Sequence, residues 1–164
     1  IEHKNVRVPA SVCANPLQRV AVDFGKGELA SALSVCDPNA ETLIVIEGVF
    51  MYLEKPQIDA LLKTLRETFS NHMLLCDLMD KPFFEKHMGK SYEQVRKLGS
   101  EFRFVERKPV ETFTKVGYIE RQKPISVVGR AREFKAFFLP AFILNTVLRS
   151  LRDGYRIHLF GARR

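Results

Sequence analysis

Three acidic side chains stand at the ends of short apolar segments, where they could form a binding site. They are Asp23 near the end of QRVAVDF, Glu47 directly after LIVI, and Asp77 inside MLLCDL. Each segment predicts a strand, and the unbroken apolar run LIVI suits a strand of a parallel sheet that is covered on both faces. Because ligands of such sheets bind beyond the carboxyl ends of the strands, we expect these carboxylates to reach a cleft rather than the core.

The sequence contains no residue spacing that is typical of a metal site or of a disulfide framework. The histidines lack HxxxH or HxH spacing, and the cysteines are far apart with no CxxC pair. We therefore predict no metal site and expect reduced thiols in a cytoplasmic protein, with Cys76 as a small core residue. The residues concerned are His3, His72, His87, His158, Cys13, Cys36 and Cys76.

The segments between the predicted strands carry helical patterns. Pro56 suits the first turn of a helix, and five apolar residues after it recur at helical spacing. Residues 28–35 and 81–101 are also expected to be helical. The predicted apolar stripe after Pro56 consists of Ile58, Leu61, Leu62, Leu65 and Phe69.

The C-terminal part of the chain alternates between helix and strand signals. The segment from Pro109 predicts a short helix, a cap at Gly117 and a strand. Residues 133–152 predict a helix that is kinked at Pro140, and residues 155–160 predict a final strand. The inner face of the kinked helix is expected to contain Phe134, Phe137, Phe138, Ala141, Leu144, Leu148 and Leu151.

This order of elements predicts an α/β fold in a single domain that spans residues 1–164. The hydrophobic content of 46% is sufficient to build a core. No apolar run approaches the roughly 18 to 20 residues that cross a bilayer, so we expect no membrane span.

Charge is distributed unevenly along the chain. Residues 1–80 contain 7 Lys and Arg against 11 Asp and Glu, whereas residues 81–164 contain 19 against 8. A basic half can serve nucleic acid, an anionic lipid or an acidic substrate, or it can simply be a solvated face. The scattered positions of the charges leave these alternatives open.

Motifs around the acidic residues resemble a known family. VAVDF, followed by PNAETLIVIEGVFMYL and then MLLCDLMD, resembles the leucine carboxyl methyltransferase family of S-adenosylmethionine-dependent methyltransferases. FTKVGYIE and DGYRIHLFGARR resemble the end of the same class I fold, whose last strand is antiparallel. The resemblance implies a Rossmann-like sheet and S-adenosyl-L-methionine as the cofactor.

The resemblance also implies roles for individual residues. The Asp23 carboxylate and the Phe24 backbone N–H would hold the adenine, whereas Glu47, with Gly48 beside it, would face the methionine end of the cofactor. Tyr52 is the candidate catalytic residue that orients the methyl acceptor, with helix packing as the alternative. Carboxylates complement the positive charge of this cofactor. Because the transferred carbon is already activated, the reaction depends on positioning and needs no nucleophile from the protein.

The glycine-rich loop of the family does not occur in this sequence, because the only glycines before residue 48 are Gly25 and Gly27. IEHK at residues 1–4 resembles the helix that follows the second strand of the family. We therefore expect the C-terminal part of a methyltransferase domain, with an incomplete sheet that lacks the first two strands. In the sheet order of the family, those strands lie between the strand that ends at Asp23 and the one that ends at Ile46.

These observations predict an O-methyltransferase that acts on a carboxylate or hydroxyl of a small molecule or protein. A basic nucleic-acid-binding module and an inactive, truncated methyltransferase-like subunit remain alternatives. No nucleic-acid recognition motif occurs, so nucleic acid is not the expected partner. Asp77 could either face the methyl acceptor or cap a helix, and it is left unassigned. The FFLPAFIL stretch could pack in the core, or it could form a lid or contact a membrane.

Overall fold

The computed structural model describes residues 1–12 and 14–162, so Cys13, Arg163 and Arg164 lie outside the described residues. The chain divides into two compact units, Ile1–Asp37 and Pro38–Arg164, and each is considered by itself.

The first unit is built from short helices. Helix α1 spans Glu2–Arg7 and helix α2 spans Leu29–Leu33, with single 3₁₀ turns at Ala10–Val12 and Phe24–Lys26. The helix predicted over residues 28–35 is confirmed in a shorter form. IEHK lies at the start of α1, as the family resemblance implied.

The strand predicted over residues 18–24 is wrong, because this segment is irregular until the 3₁₀ turn begins at Phe24. A strand needs a neighbour to take its backbone hydrogen bonds, and the described residues of the first unit contain no strand. Val20 is accordingly 45% exposed, and Arg19 donates to Asn5 Oδ1 at 2.6 Å instead of lying in a ladder.

The described residues of the second unit form five strands and most of the helices. Its strands are β1 (Thr42–Ile46), β2 (His72–Met79), β3 (Tyr118–Glu120), β4 (Ile125–Ser126) and β5 (Tyr155–Ala162). Its helices are α3 (Lys55–Thr68), α4 (Lys81–His87), α5 (Gly89–Lys97), α6 (Val110–Lys115), α7 (Val127–Glu133), α8 (Ala141–Asn145) and α9 (Arg149–Asp153), with a 3₁₀ turn at Phe50–Tyr52.

The sheet has the order β1-β2-β5-β3, and the short β4 pairs with β5 as well. Strands β1 and β2 are parallel, whereas β5 runs antiparallel to β2 and β3. The expected α/β class and the antiparallel last strand are therefore confirmed. Because side chains alternate along a strand, Asp77 and Leu78 of β2 point to opposite faces of the sheet.

One face of the sheet forms the core of the second unit. Phe113 of α6 stacks on Phe160 of β5 with ring centroids 4.8 Å apart, and Phe50 meets Phe113 edge-on at 5.1 Å. Full burial of each such side chain contributes about 1.5–3 kcal/mol to the free energy of unfolding. The most deeply buried members of this face are Leu74, Cys76, Leu78, Tyr118, His158 and Phe160.

Helix α3 begins as the sequence predicted. Gln57 Oε1 accepts the Glu54 backbone N–H at 2.8 Å in a capping box, and Pro56 occupies the first turn, where its missing N–H leaves no donor unpaired. All five residues of the predicted stripe are less than 5% exposed, so the stripe is confirmed.

The prediction that β1 is covered on both faces is wrong. Leu43 is 62% exposed and Val45 is 58% exposed, whereas Thr42, Ile44 and Ile46 are half-buried. Strand β1 lies at the end of the described sheet and pairs with β2 alone. An unbroken apolar run therefore does not distinguish a strand covered on both faces from one covered on a single face.

The kinked helix predicted over residues 133–152 is also wrong. Helix α7 ends at Glu133, Pro140 is the N-cap residue of α8, and α9 follows separately. Of the predicted inner face, Leu144 is buried at 3% exposure, whereas Phe134 is 79% exposed and Phe138 is fully exposed. Lys135 has a φ of +59°, so the right-handed helix does not continue beyond the end of α7. Pro140, which lacks a backbone N–H, then precedes α8 instead of lying inside a helix.

Candidate functional site

The ends of β1 and β2 bring two predicted acidic residues to the same edge of the sheet. Ile46 and Cys76 form the last pair in the parallel register of β1 and β2. Glu47 and Asp77, which follow them, therefore lie side by side where β1 ends. Glu47 is exposed beyond the strand end, and Asp77 is 7% exposed. The two carboxylates therefore differ in how readily they can meet a ligand.

Gly48 makes the turn that carries the chain away from Glu47. Its φ is +65°, a left-handed conformation that side-chain-bearing residues adopt at a cost. Its N–H donates to Asp77 Oδ1 at 2.7 Å. The turn is therefore fastened to β2 by a charge-assisted hydrogen bond, which holds Glu47 at the strand end.

The second oxygen of Asp77 is also engaged. The Tyr155 hydroxyl at the start of β5 donates to Asp77 Oδ2 at 2.6 Å. Burial raises the pKa of Tyr155, and the hydrogen bond from its hydroxyl to Asp77 and the nearby Asp77 charge raise it further. Tyr155 therefore stays protonated and acts as a donor, which leaves Asp77 as an acceptor of two hydrogen bonds rather than an acid or base.

These residues line a cavity of about 200 Å³ at the open face of the sheet. Glu47, Asp77 and Tyr155 supply its polar groups. The rest of the wall is mainly apolar and includes Val45, Leu75, Val127 and Ile157. Such a cavity, with carboxylates at one end, suits a ligand that combines positive charge with apolar surface.

Tyr52 lies in the 3₁₀ turn after Gly48 but lines a different cavity. Its ring meets Phe102 edge-on at 5.2 Å, and its side chain is 39% exposed. The cavity beside it, about 490 Å³, also contains Arg96, Ser100 and Arg103. Both interpretations of Tyr52 retain support from this position, since the ring packs on one side and faces the cavity on the other.

Asp23 and Phe24 lie in the first unit, where they form the start of a 3₁₀ turn. Asp23 contacts Lys26, with its backbone oxygen accepting the Lys26 N–H at 3.1 Å and its carboxylate 3.8 Å from the ammonium group. The Asp23 side chain is 54% exposed. Their adenine-binding roles stay predictions, whereas Glu47, Gly48 and Asp77 are brought together within the second unit.

Sequence reasoning named Asp77 without assigning it and did not identify Tyr155 as a site residue. The two are 78 residues apart, and only the antiparallel register of β2 and β5 brings them together. The single local signal for Tyr155 is its position as the first residue of the last strand, directly after Asp153 and Gly154.

Across residues 1–12 and 14–162, no group of three His, Cys, Asp or Glu side chains is placed to hold a metal ion. Over the same ranges, no helix has both the length and the apolar character that crossing a membrane requires.

The order of strands and helices is that of the Rossmann-like fold, which solved methyltransferases share. The chain is similar over 97% of its length to a DUF574-family protein from Streptomyces avermitilis, with 12% identity and a TM-score of 0.65. Over 99% of its length it is similar to geranyl diphosphate C-methyltransferase from Streptomyces coelicolor A3(2), solved with Mg²⁺, geranyl diphosphate and S-adenosyl-L-homocysteine, with 12% identity and a TM-score of 0.50.

The family model for leucine carboxyl methyltransferase matches residues 1–66, a range that includes every predicted site residue. The resemblance that the sequence indicated is thereby confirmed over that range. The chain covers 61% and 60% of the two solved proteins, so it spans about three fifths of their length. No curated protein matches it.

Proposed function

We propose that the chain is part of an S-adenosylmethionine-dependent O-methyltransferase and that Glu47 faces the cationic end of the cofactor. The observation that carries this proposal is the Glu47–Gly48 turn, which Asp77 fastens at the carboxyl ends of two parallel strands. Open α/β sheets bind their ligands at this edge.

The residues present fit the methionine end of the cofactor. The Glu47 carboxylate is exposed at the edge of a cavity that is otherwise largely apolar, and a positively charged sulfonium or ammonium group would be attracted to it. An added Cβ at Gly48 would meet no atom within 4 Å, so the space above its backbone is open to a ligand. When bound, the cofactor supplies an activated methyl group. The chain's part is to position the reactants.

The cavity beside Tyr52 supports a carboxylate as the methyl acceptor. Arg103 is paired with Glu54 and Glu101 at 3.2 Å each, whereas Arg96 has no ion pair within the described part of the chain. A guanidinium group binds a carboxylate through two parallel hydrogen bonds, and the Tyr52 hydroxyl could donate a third. A carboxylate is already ionised at neutral pH, so its oxygen can accept a methyl group without a general base.

Titration of the chain with S-adenosyl-L-homocysteine in a calorimeter tests the cofactor site. We expect saturable binding that is about tenfold weaker in Glu47→Gln, which corresponds to about 1.4 kcal/mol. Glu41→Gln is the matched control, since Glu41 is an exposed acid just before the other end of β1. Equal affinity in Glu47→Gln and the original chain would remove Glu47 from the site.

Variants of Tyr52 and Arg96 separate the acceptor site from the cofactor site. Tyr52→Phe and Arg96→Gln should leave the affinity for S-adenosyl-L-homocysteine unchanged and lower methyl transfer to a carboxylate acceptor. If both variants transferred methyl groups at the original rate, the cavity beside Tyr52 would not be the acceptor site.

The basic nucleic-acid-binding alternative gains one supporting observation. Phe134, Phe137 and Phe138 are exposed beside basic residues, and the Arg130 guanidinium lies 5.8 Å from the Phe134 ring. Exposed aromatic rings and arginines are the groups on which single-stranded bases stack. Affinity for a labelled single strand that falls steeply with salt, and that Phe138→Ser weakens, would favour this alternative.

The truncated-subunit alternative is tested by the same calorimetric titration. Because the chain spans about three fifths of the solved proteins, activity is proposed for the whole protein to which these residues belong. If the chain alone bound no S-adenosyl-L-homocysteine, an inactive partner subunit would become the better interpretation. We also propose a cytoplasmic location, for which separate, reduced thiols such as the exposed Cys36 are the basis.

A further inference from the structure

A second polar cavity lies on the opposite face of the sheet from Glu47. It has a volume of about 280 Å³ and opens between the end of β2 and the start of β5. Leu78 lines it, and this residue is next to Asp77 on β2 with its side chain on the other face. The sheet therefore separates this cavity from the proposed cofactor site.

The innermost polar group of the cavity is a buried histidine. His158 is 2% exposed, and its Nδ1 lies 2.6 Å from Glu120 Oε1. Burial lowers the pKa of His158, and the charge of Arg156 lowers it further, although the hydrogen bond with Glu120 opposes both effects. A neutral imidazole that donates from Nδ1 to Glu120 presents a lone pair on Nε2 as a hydrogen-bond acceptor.

The ring of His158 is held in place by its neighbours. It lies parallel to the Phe160 ring, with centroids 5.7 Å apart and an angle of 7° between the planes. Together with the Glu120 contact, this stacking fixes the direction of Nε2. No hydrogen bond to Nε2 occurs among residues 1–12 and 14–162.

Two arginines line the same cavity, and the nearby acids are already engaged. Glu111 pairs with Lys108 at 3.1 Å, Asp80 accepts the Phe83 N–H at 2.8 Å as the N-cap of α4, and Glu120 contacts His158. Within the described ranges, the side chains of Arg107 and Arg156 make no hydrogen bond or ion pair. The charge of Arg156 contributes to the lowered pKa of Asp153, but that carboxylate is paired with Arg152 at 2.7 Å. The guanidinium donors of both arginines are therefore available to a ligand.

We propose that this cavity, the Arg107–Arg156 pocket, binds a small ligand with an oxyanion group, a carboxylate or a phosphate. The two guanidinium groups would bind the oxyanion, and a hydroxyl or amine of the ligand would donate to His158 Nε2. The volume is near the lower end of the roughly 300–1,000 Å³ of small-molecule sites, so the ligand is small. The proposal does not depend on methyltransferase activity, since the pocket has its own residues on its own face.

Nuclear magnetic resonance of the histidine Cε1–H groups tests this proposal on the whole 164-residue chain. Inorganic phosphate and sodium acetate serve as separate probes, titrated at constant ionic strength against sodium chloride. We expect the His158 resonance to shift in a saturable way with at least one probe. Saturation with phosphate but not acetate assigns a phosphate ligand, and the reverse assigns a carboxylate.

Substitution of the arginines shows whether the pocket holds the anion. Arg156→Gln and Arg107→Gln should each weaken the binding that shifts His158 by about tenfold, whereas Arg7→Gln, at an exposed arginine of α1, should leave it unchanged. Arg107 is exposed, so its variant keeps the test valid if the half-buried Arg156 proves necessary for folding. A shift that stays linear in the concentration of both probes, or one unaffected by either substitution, would overturn the proposal.

Discussion

The Gly48 N–H donates to Asp77 Oδ1 at 2.7 Å, and this bond joins the end of β1 to the end of β2. It links two residues that are 29 positions apart in the chain and fixes the direction in which the chain leaves Glu47. The same carboxylate accepts the Tyr155 hydroxyl from β5, so three strand ends meet at one side chain. Asp77 is thus best described as a positioning residue.

Asp77→Ala should destabilise the second unit and weaken cofactor binding together. The substitution leaves the Gly48 N–H and the Tyr155 hydroxyl without their acceptor, and one unsatisfied group costs about 1–3 kcal/mol where it is shielded from water. Asp77→Asn keeps an oxygen for Gly48 and should recover most of both losses. Urea unfolding and S-adenosyl-L-homocysteine titration measure the two effects, and equal results for Asn and Ala would contradict the positioning role.

Gly48→Ala and Gly89→Ala form a matched pair that isolates backbone strain. An added Cβ meets no atom within 4 Å at either position, but Gly48 has a φ of +65° whereas Gly89 begins helix α5. We expect Gly48→Ala to cost about 1–2 kcal/mol in unfolding free energy, because the left-handed conformation is unfavourable for alanine. Gly89→Ala should leave stability unchanged or raise it by up to about 1 kcal/mol. Urea midpoints that fall equally would contradict this interpretation.

The sequence predicted the elements correctly where the local residue pattern and the long-range structure agree. The apolar runs at β1 and β2, the capping box of α3 and its apolar stripe each follow from residues that are close in the chain. Parallel pairing then carries Glu47 and Asp77 to one edge without further information. That edge is the part of the site that the sequence could predict.

The sequence-based predictions were wrong or incomplete where the structure depends on residues that are distant in the chain. The QRVAVDF segment has the composition of a strand, yet a strand forms only beside another strand, and its own unit offers none among the described residues. The bond between Asp77 and Tyr155 depends on the register of β5, which no local pattern specifies. The apolar periodicity around Pro140 likewise did not predict burial correctly, because a side chain is buried only where another surface covers it. Phe138 is fully exposed.

Leu144→Ala and Phe138→Ala should therefore differ strongly, although both residues belong to the apolar face that the sequence predicted. Leu144 is 3% exposed, and removal of a buried leucine side chain costs about 2–5 kcal/mol. Phe138 is fully exposed, so its truncation should change the free energy of unfolding by less than about 0.5 kcal/mol. Urea unfolding of the two variants measures the difference, and a large loss from Phe138→Ala would show that this ring is covered.

The stability of the protein should decrease as the pH falls below the ordinary histidine range, in part because of His158. Burial lowers the pKa of His158 in the folded state, so between the unfolded value of about 6.5 and the lower folded value the unfolded chain binds more protons. Proton uptake then favours unfolding, and the contribution is absent above that window. Chemical unfolding at a series of pH values should show a shallower acid loss in His158→Gln than in His3→Gln, an exposed histidine that serves as control. Identical profiles would show that the pKa of His158 is not lowered in the folded protein and would contradict this prediction.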